Sequence, residues 1–291
     1  MNLSYALLEA AISCGSASTG SEFAYDALMD RGLGDVFPGA KRFPMEKRPP
    51  CEDYPTKLLH LDTVMAVSRA LRENMLEALE EDRYPIVIGG DHSIAMGTLA
   101  ALGERYGAEQ VALVYIDAHA DINTQESSES HRIHGMDLAS ACGLCCRELQ
   151  VGKNRVNILG KNIHILGGRS IDPPEYAIME EQGVHFHPAA EILERGMDAV
   201  LGEVLPALGG KKVYISFDVD SLDPAFFTST GYLIPGGLTV EDVKKVFRGV
   251  LPLSVGFECV EYNPTLDETG RDAKTLLDLF SLAAERLAKP E

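Results

Sequence analysis

The sequence predicts an α/β protein with three α/β/α layers around a central, mainly parallel sheet. Three observations carry that expectation. Short apolar or β-branched runs recur along the chain, amphipathic stretches near 3.6 spacing separate them, and polar side chains cluster just after the runs. A parallel crossover needs a helix to return the chain, so alternation of this kind buries a sheet beneath helices on both faces.

The strand candidates are 85–90, 111–116, 163–167, 213–217 and 255–260. Amphipathic helices are expected over 58–81, 95–106, 174–182, 189–208, 240–249 and 275–288, where apolar residues return about once per turn. The segment 135–149 also has helical apolar spacing. Residues 1–56 are the least regular part and read as an N-terminal elaboration. No long Ser/Gly/Pro linker and no repeat divides the chain, so 1–291 is expected to be one catalytic domain.

Composition narrows the function classes. The 291 residues are 45% hydrophobic and 24% charged, and no uninterrupted apolar run of about 18 residues supports a membrane span. The first twenty residues lack a basic stretch ahead of an apolar core, so the expected compartment is the cytoplasm. A formal charge of -18, without a dense Lys/Arg cluster, argues against nucleic acid and suits a cationic small molecule. Six cysteines, three of them bunched as Cys142, Cys145 and Cys146, read as reduced thiols. The Cys-x-x-Cys pair has no second pair nearby, and packing is preferred to a zinc half-site.

The chemistry lies at the carboxyl ends of the strand candidates, where open parallel sheets form their ligand crevices. Gly89-Gly90-Asp91-His92-Ser93 follows the first run, Asp117-Ala118-His119-Ala120-Asp121 the second and Asp218-Val219-Asp220 the fourth. An Asp-x-His-x-Asp triplet in extended backbone turns all three side chains to one side. Any one of these residues alone would read as a helix cap or loop polar group. Together they bring four carboxylates to one place, which like-charge repulsion forbids unless cations neutralise them. His92, Asp117, His119, Asp121, Asp218 and Asp220 are therefore expected to hold two divalent ions, and the oxygen-rich set with some imidazole favours Mn2+. Two such ions about 3.5 to 4 Å apart activate water for hydrolysis.

In this order, Gly-Gly-Asp-His-Ser, Asp-Ala-His-Ala-Asp, Ser-Phe-Asp-Val-Asp-Ser-Leu-Asp-Pro and Glu-Tyr-Asn-Pro resemble the ureohydrolases, over about residues 85 to 290. The continuation Ile122-Asn123-Thr124, followed by His134-Gly135, looks more like arginase than agmatinase. The resemblance implies a sheet of about eight strands and assembly as a homotrimer or homohexamer. It also implies that His92 and Asp121 bind one Mn2+, that His119 and Asp220 bind the other, and that Asp117 and Asp218 bridge them. Asp121 would also hold the bridging hydroxide that attacks the guanidinium carbon of L-arginine, giving L-ornithine and urea.

On the same resemblance, His134 is the proton shuttle and Glu261 holds the guanidinium. By itself His134 reads as a surface or helix-start histidine, and Glu261 as a strand-end ion-pair partner. Asn123, Ser128 and Ser130 would bind the α-carboxylate, with Asp172 and Glu175 facing the α-amino group. The chain departs from the family pattern at three places. Tyr232-Leu233 replaces Thr-Pro beside the guanidinium, Glu258 replaces an aspartate, and His131-Arg132 replaces a Gly-Asn pair. Tyr232 would narrow the pocket or add a hydroxyl, and Arg132 would suit a carboxylate on a longer substrate. The usual early strand signature is also absent. Agmatine or a guanidino acid as substrate, a non-catalytic metal-binding homologue, and a single-zinc deacetylase on a related fold are the alternatives.

Overall fold

The computed structural model describes residues 3–50 and 57–288. Eight strands form one sheet: β1 Tyr5–Ala10, β2 Lys41–Phe43, β3 Tyr84–Gly89, β4 Val111–Ile116, β5 Ile163–Leu166, β6 His185–His187, β7 Lys212–Asp218 and β8 Ser254–Val260. Their order is β2-β1-β3-β8-β7-β4-β5-β6, and every neighbouring pair is parallel. The helices are α1 Ala24–Met29, α2 Leu33–Val36, α3 Leu61–Glu80, α4 Ala95–Tyr106, α5 Asp137–Ala141, α6 Pro173–Gln182, α7 Ala189–Arg195, α8 Met197–Ala207, α9 Val240–Val250 and α10 Arg271–Ala288.

Two apolar cores lie on the two faces of the sheet. Val64, Leu71 and Met75 of α3 and Leu99 of α4 pack on one face with Val87 and Tyr115. Val200, Val246, Phe247, Leu276 and Phe280 from α8 to α10 pack on the other with Ile86, Val114 and Phe257. The three-layer architecture expected from the alternation is therefore present. β3 and β4 are buried at every position, because both faces of the sheet are covered.

Several expectations need correction. Residues 1–56 are not merely irregular, because β1 pairs with β3 over six residues and with β2 on its other edge. The alternation rule missed β1 because its run has no β-branched residue and carries the charged Glu9, whose carboxylate is buried where it accepts the Met45 N–H at 2.9 Å. β6 is a three-residue edge strand with two histidines and no β-branched side chain. The helix expected over 189–208 is two, separated at Gly196, whose φ of 83° lies outside helical backbone. The helix expected over 135–149 is limited to α5, because the chain reverses at Gly143 with φ 76°. Cys142 is buried and Cys145 half-buried near that turn, and burial pushes both thiols up to about 12.

The four strands that carry the polar motifs, β3, β8, β7 and β4, are contiguous in the middle of the sheet. Their carboxyl ends therefore open into one crevice, although the motifs lie up to 169 residues apart in the chain.

Candidate metal centre

His92 follows β3 by way of the glycine turn. Asp91 caps the short helical turn His92–Ile94 by accepting the Ser93 N–H at 3.0 Å, and its other oxygen accepts the Gly15 N–H at 2.8 Å. Gly90 is required because a Cβ there would stand 1.7 Å from the Ile12 carbonyl oxygen. The expectation that 117–121 stays extended fails at its last residue, since β4 ends at Ile116 and Asp121 has φ 47°. That left-handed turn costs an aspartate on the order of 1 to 3 kcal/mol and redirects its carboxylate inward. Asp218 ends β7, while Asp220 lies in the short helical turn Val219–Ser221.

Five of the six side chains form two groups that share Asp117, and Asp121 stands beside His92 of the first. His92 Nδ1 lies 2.9 Å from Asp117 Oδ2, 3.2 Å from Asp218 Oδ2 and 3.4 Å from Asp121 Oδ2. His119 Nδ1 lies 3.1 Å from Asp220 Oδ2 and 3.4 Å from Asp117 Oδ1. The two Asp117 oxygens thus face different groups. Asp218 directs only Oδ2 inward, because its Oδ1 accepts the Asp220 N–H at 2.7 Å.

This donor set fits divalent cations. Asp117 Oδ2 is fully buried and makes no hydrogen bond, despite its closeness to the imidazole. Among the described residues no lysine or arginine pairs with any of the four carboxylates. Ser216 Oγ lies 2.7 Å from His92 Nε2 and donates to Glu258 Oε1 at 2.7 Å, which leaves His92 Nδ1 free to ligate. Without cations the histidines must balance the charge. Burial by itself would depress His92, but Asp117, Asp121 and Asp218 hold it well above its ordinary pKa. Burial also opposes His119, and Asp220 raises it well above the ordinary value. Burial, reinforced by Asp220 and Asp117, pushes Asp218 well up.

Above this centre lies a cavity of about 390 Å³ lined by His119, Asp121, His134, Asn123, Ser128 and Ser130, and further by Asp172, Glu175 and Tyr232. Apart from Glu261 and Arg132, the residues expected to contact substrate therefore face one space. His134 Nδ1 lies 3.5 Å from Glu261 Oε1. Burial opposes the imidazolium, but the Glu261 carboxylate outweighs it and raises the His134 pKa. Glu261, with φ 62°, lies deeper, and its Oε1 also accepts the His92 N–H at 3.1 Å. The Tyr232 ring stacks on His134 at 5.8 Å and meets His119 edge-on at 5.5 Å.

Two expected roles change. Arg132 does not face the cavity; its guanidinium donates to the Ser16 carbonyl at 2.6 Å and ties the loop to the N-terminal segment. Glu175 lines the cavity, yet its oxygens accept the Ile122 N–H at 3.0 Å and the Asp172 N–H at 2.8 Å. It sets the loop first, and burial pushes its carboxyl up to about 7. The sequence reading passed over Arg169. Its guanidinium donates to the carbonyls of Asp220 at 2.8 Å and Ile234 at 2.9 Å, clamping a ligand loop to the loop that carries Tyr232. An arginine directly after Gly167-Gly168 at a strand end was the available signal.

An open parallel sheet with a shared aspartate between two histidine–carboxylate groups, under a polar cavity, is the arrangement that a metal-dependent hydrolase of the three-layer kind needs. The chain belongs to the arginase family, whose family model matches residues 4–285. It is 33% identical over 238 residues to an arginase of Bacillus caldovelox, covering 80% of this chain and 79% of that protein. It is 34% identical over 242 residues to an arginase of Bacillus subtilis (strain 168), covering 79% of each. The solved Bacillus caldovelox arginase superposes with a TM-score of 0.90 at 27% identity, covering 99% of both chains. The agmatine ureohydrolase of Thermoplasma volcanium has a TM-score of 0.75 at 23% identity, covering 98% of this chain and 90% of that one, a likeness of fold alone. Among the described residues no helix is long and apolar enough to cross a membrane.

Proposed function

We propose that this chain is a single catalytic domain that hydrolyses L-arginine to L-ornithine and urea with two Mn2+ ions. The observation that carries the reading is the cavity that joins the His119 and Asp121 side chains to the Asn123, Ser128, Ser130 and Asp172 wall. When bound, the two cations supply a water acidified to near neutrality, aimed at the guanidinium carbon. His92 and Asp121 would hold one ion, His119 and Asp220 the other, with Asp117 and Asp218 shared between them.

The residues of the chain do the rest. Glu261 Oε1 is engaged with His92 and His134, which leaves Oε2 to accept guanidinium N–H groups. His134, whose imidazolium the Glu261 carboxylate favours, gives its proton to the departing amine, because an amide anion cannot leave unaided. Asn123, Ser128 and Ser130 offer neutral donors to the α-carboxylate, and Asp172 an acceptor to the α-amino group. Agmatine, without the carboxylate, would leave those donors unpaired.

A second reading rests on Tyr232, whose ring stands against both His119 and His134 and narrows the reacting end. It favours a guanidino compound with a different tail. After Mn2+ loading, urea release is measured from L-arginine, agmatine and 4-guanidinobutanoate, with His119→Ala and Asp121→Asn as inactive controls. Urea from L-arginine above the other two supports the first reading, and a reversed order moves the assignment to the second. Arginine binding without turnover indicates a non-catalytic homologue. The proposed homotrimer or homohexamer is checked by light scattering on the eluting protein.

A further inference from the structure

Tyr115 and Asp137 are buried beside the His92 group, and the proposed chemistry uses neither. Tyr115 is on β4, two residues before Asp117, and is fully enclosed. Its ring lies flat on His92, with centroids 4.5 Å apart and 5° between planes. That stacking places the phenol oxygen 3.0 Å from His92 Nδ1 and 2.9 Å from Asp121 Oδ2. On its far side the same oxygen lies 3.2 and 3.4 Å from the carboxylate oxygens of Asp137, which opens α5 and is fully buried.

The same unit holds the backbone of Asp121, since the Leu138 N–H donates to the Asp121 carbonyl at 3.1 Å. Asp121 is in left-handed backbone, which an aspartate keeps only where its surroundings over-determine it. Here it is gripped at the carbonyl by the start of α5 and at the carboxylate by Tyr115. The other group is built differently, because His119 is partly exposed and its ring meets Tyr232 edge-on at the cavity. A phenol has one proton to donate, and Asp121 Oδ2 is its nearest carboxylate acceptor; Asp137, whose carboxyl burial pushes well up, then meets the phenol oxygen as a protonated donor and fixes the hydroxyl from behind.

We propose that Tyr115 and Asp137 are positioning residues for one metal site only: the Tyr115 hydroxyl orients the Asp121 carboxylate toward the ion held by His92, and Asp137 orients that hydroxyl. The inference rests on the two-cation reading above. Outer partners of metal ligands typically change affinity by about 10- to 100-fold. The test is equilibrium dialysis of the full chain against graded Mn2+, with bound metal counted per chain and the melting temperature of the metal-free protein recorded alongside. Tyr115→Phe keeps the ring stack on His92 and is expected to weaken one binding step by about 10- to 100-fold while leaving the other within about 3-fold.

Asp137→Leu is expected to act in the same direction. Asp137→Asn, which still offers the phenol a polar partner, should keep both steps within about 3-fold of wild type. If Tyr115→Phe fails to fold, the two Asp137 variants decide. Equal weakening of both steps, no weakening in Tyr115→Phe or Asp137→Leu, or an Asp137→Asn loss as large as that of Asp137→Leu overturns the proposal. A wild-type chain that takes up fewer than two Mn2+ ions overturns the two-cation reading and this inference together, whereas two ions with unchanged variants overturn this inference alone.

Discussion

Gly90→Ala should disturb folding and metal binding together. The added Cβ would stand 1.7 Å from the Ile12 oxygen and 2.7 Å from its carbonyl carbon. Both are backbone atoms, so no rotamer change relieves the overlap, and the segment after β1 must move away from the turn that carries His92. That movement strains the bonds from Gly90 N–H to Ala10 at 2.8 Å, from Asp91 N–H to Ile12 at 2.9 Å and from Gly15 N–H to Asp91 at 2.8 Å. Three bonds at about 1 kcal/mol each, with about 1 to 3 kcal/mol of overpacking, give a loss of about 4 to 6 kcal/mol. At about 2.1 cal/mol/K per residue, the 291-residue chain has an unfolding entropy of about 0.6 kcal/mol/K, so Tm falls by about 6 to 10 °C.

The assay is thermal unfolding of the metal-free protein by circular dichroism, paired with Mn2+ dialysis. Gly202→Ala is the control, because Gly202 is in α8 with nothing within 4 Å of its added Cβ. It should be neutral or gain up to about 1 kcal/mol. A Gly90→Ala protein that melts with wild type and binds Mn2+ equally would refute the reasoning.

Three further outcomes are expected. Glu175→Ala strips acceptors from the Ile122 and Asp172 N–H groups and should destabilise by about 2 to 4 kcal/mol while raising KM; an unchanged Tm refutes the loop-setting role. In the metal-free chain His134 should titrate above its ordinary value by NMR, and Glu261→Gln should move it down, because a neutral amide no longer favours the imidazolium; a His134 that does not move contradicts the pairing. Because the carboxylates keep His92 and His119 protonated above their ordinary range, and ligation needs neutral imidazole, Mn2+ uptake at neutral pH should release protons and weaken as pH falls. A pH-stat titration that detects no release counts against this ligand set.

Alternation of apolar runs and amphipathic stretches determined the three-layer fold, because a buried parallel sheet and its covering helices each impose a period on the residues they bury. The residue types of the proposed metal centre were equally legible, since two Asp-x-Asp or Asp-x-His-x-Asp patterns and a glycine-turn histidine at strand ends suit cation binding. Other features depended on partners far along the chain. Glu9 hides β1 from a pattern reading because its carboxylate is satisfied by the Met45 N–H. The direction of Asp121 follows from a left-handed residue held by Tyr115 and Leu138, not from strand alternation. Arg132 turns to Ser16 and Glu175 to two backbone amides, and no local spacing encodes either choice. Short-range periodicity is written residue by residue, whereas the aim of a side chain depends on which donors and acceptors the finished fold brings within about 3 Å of it.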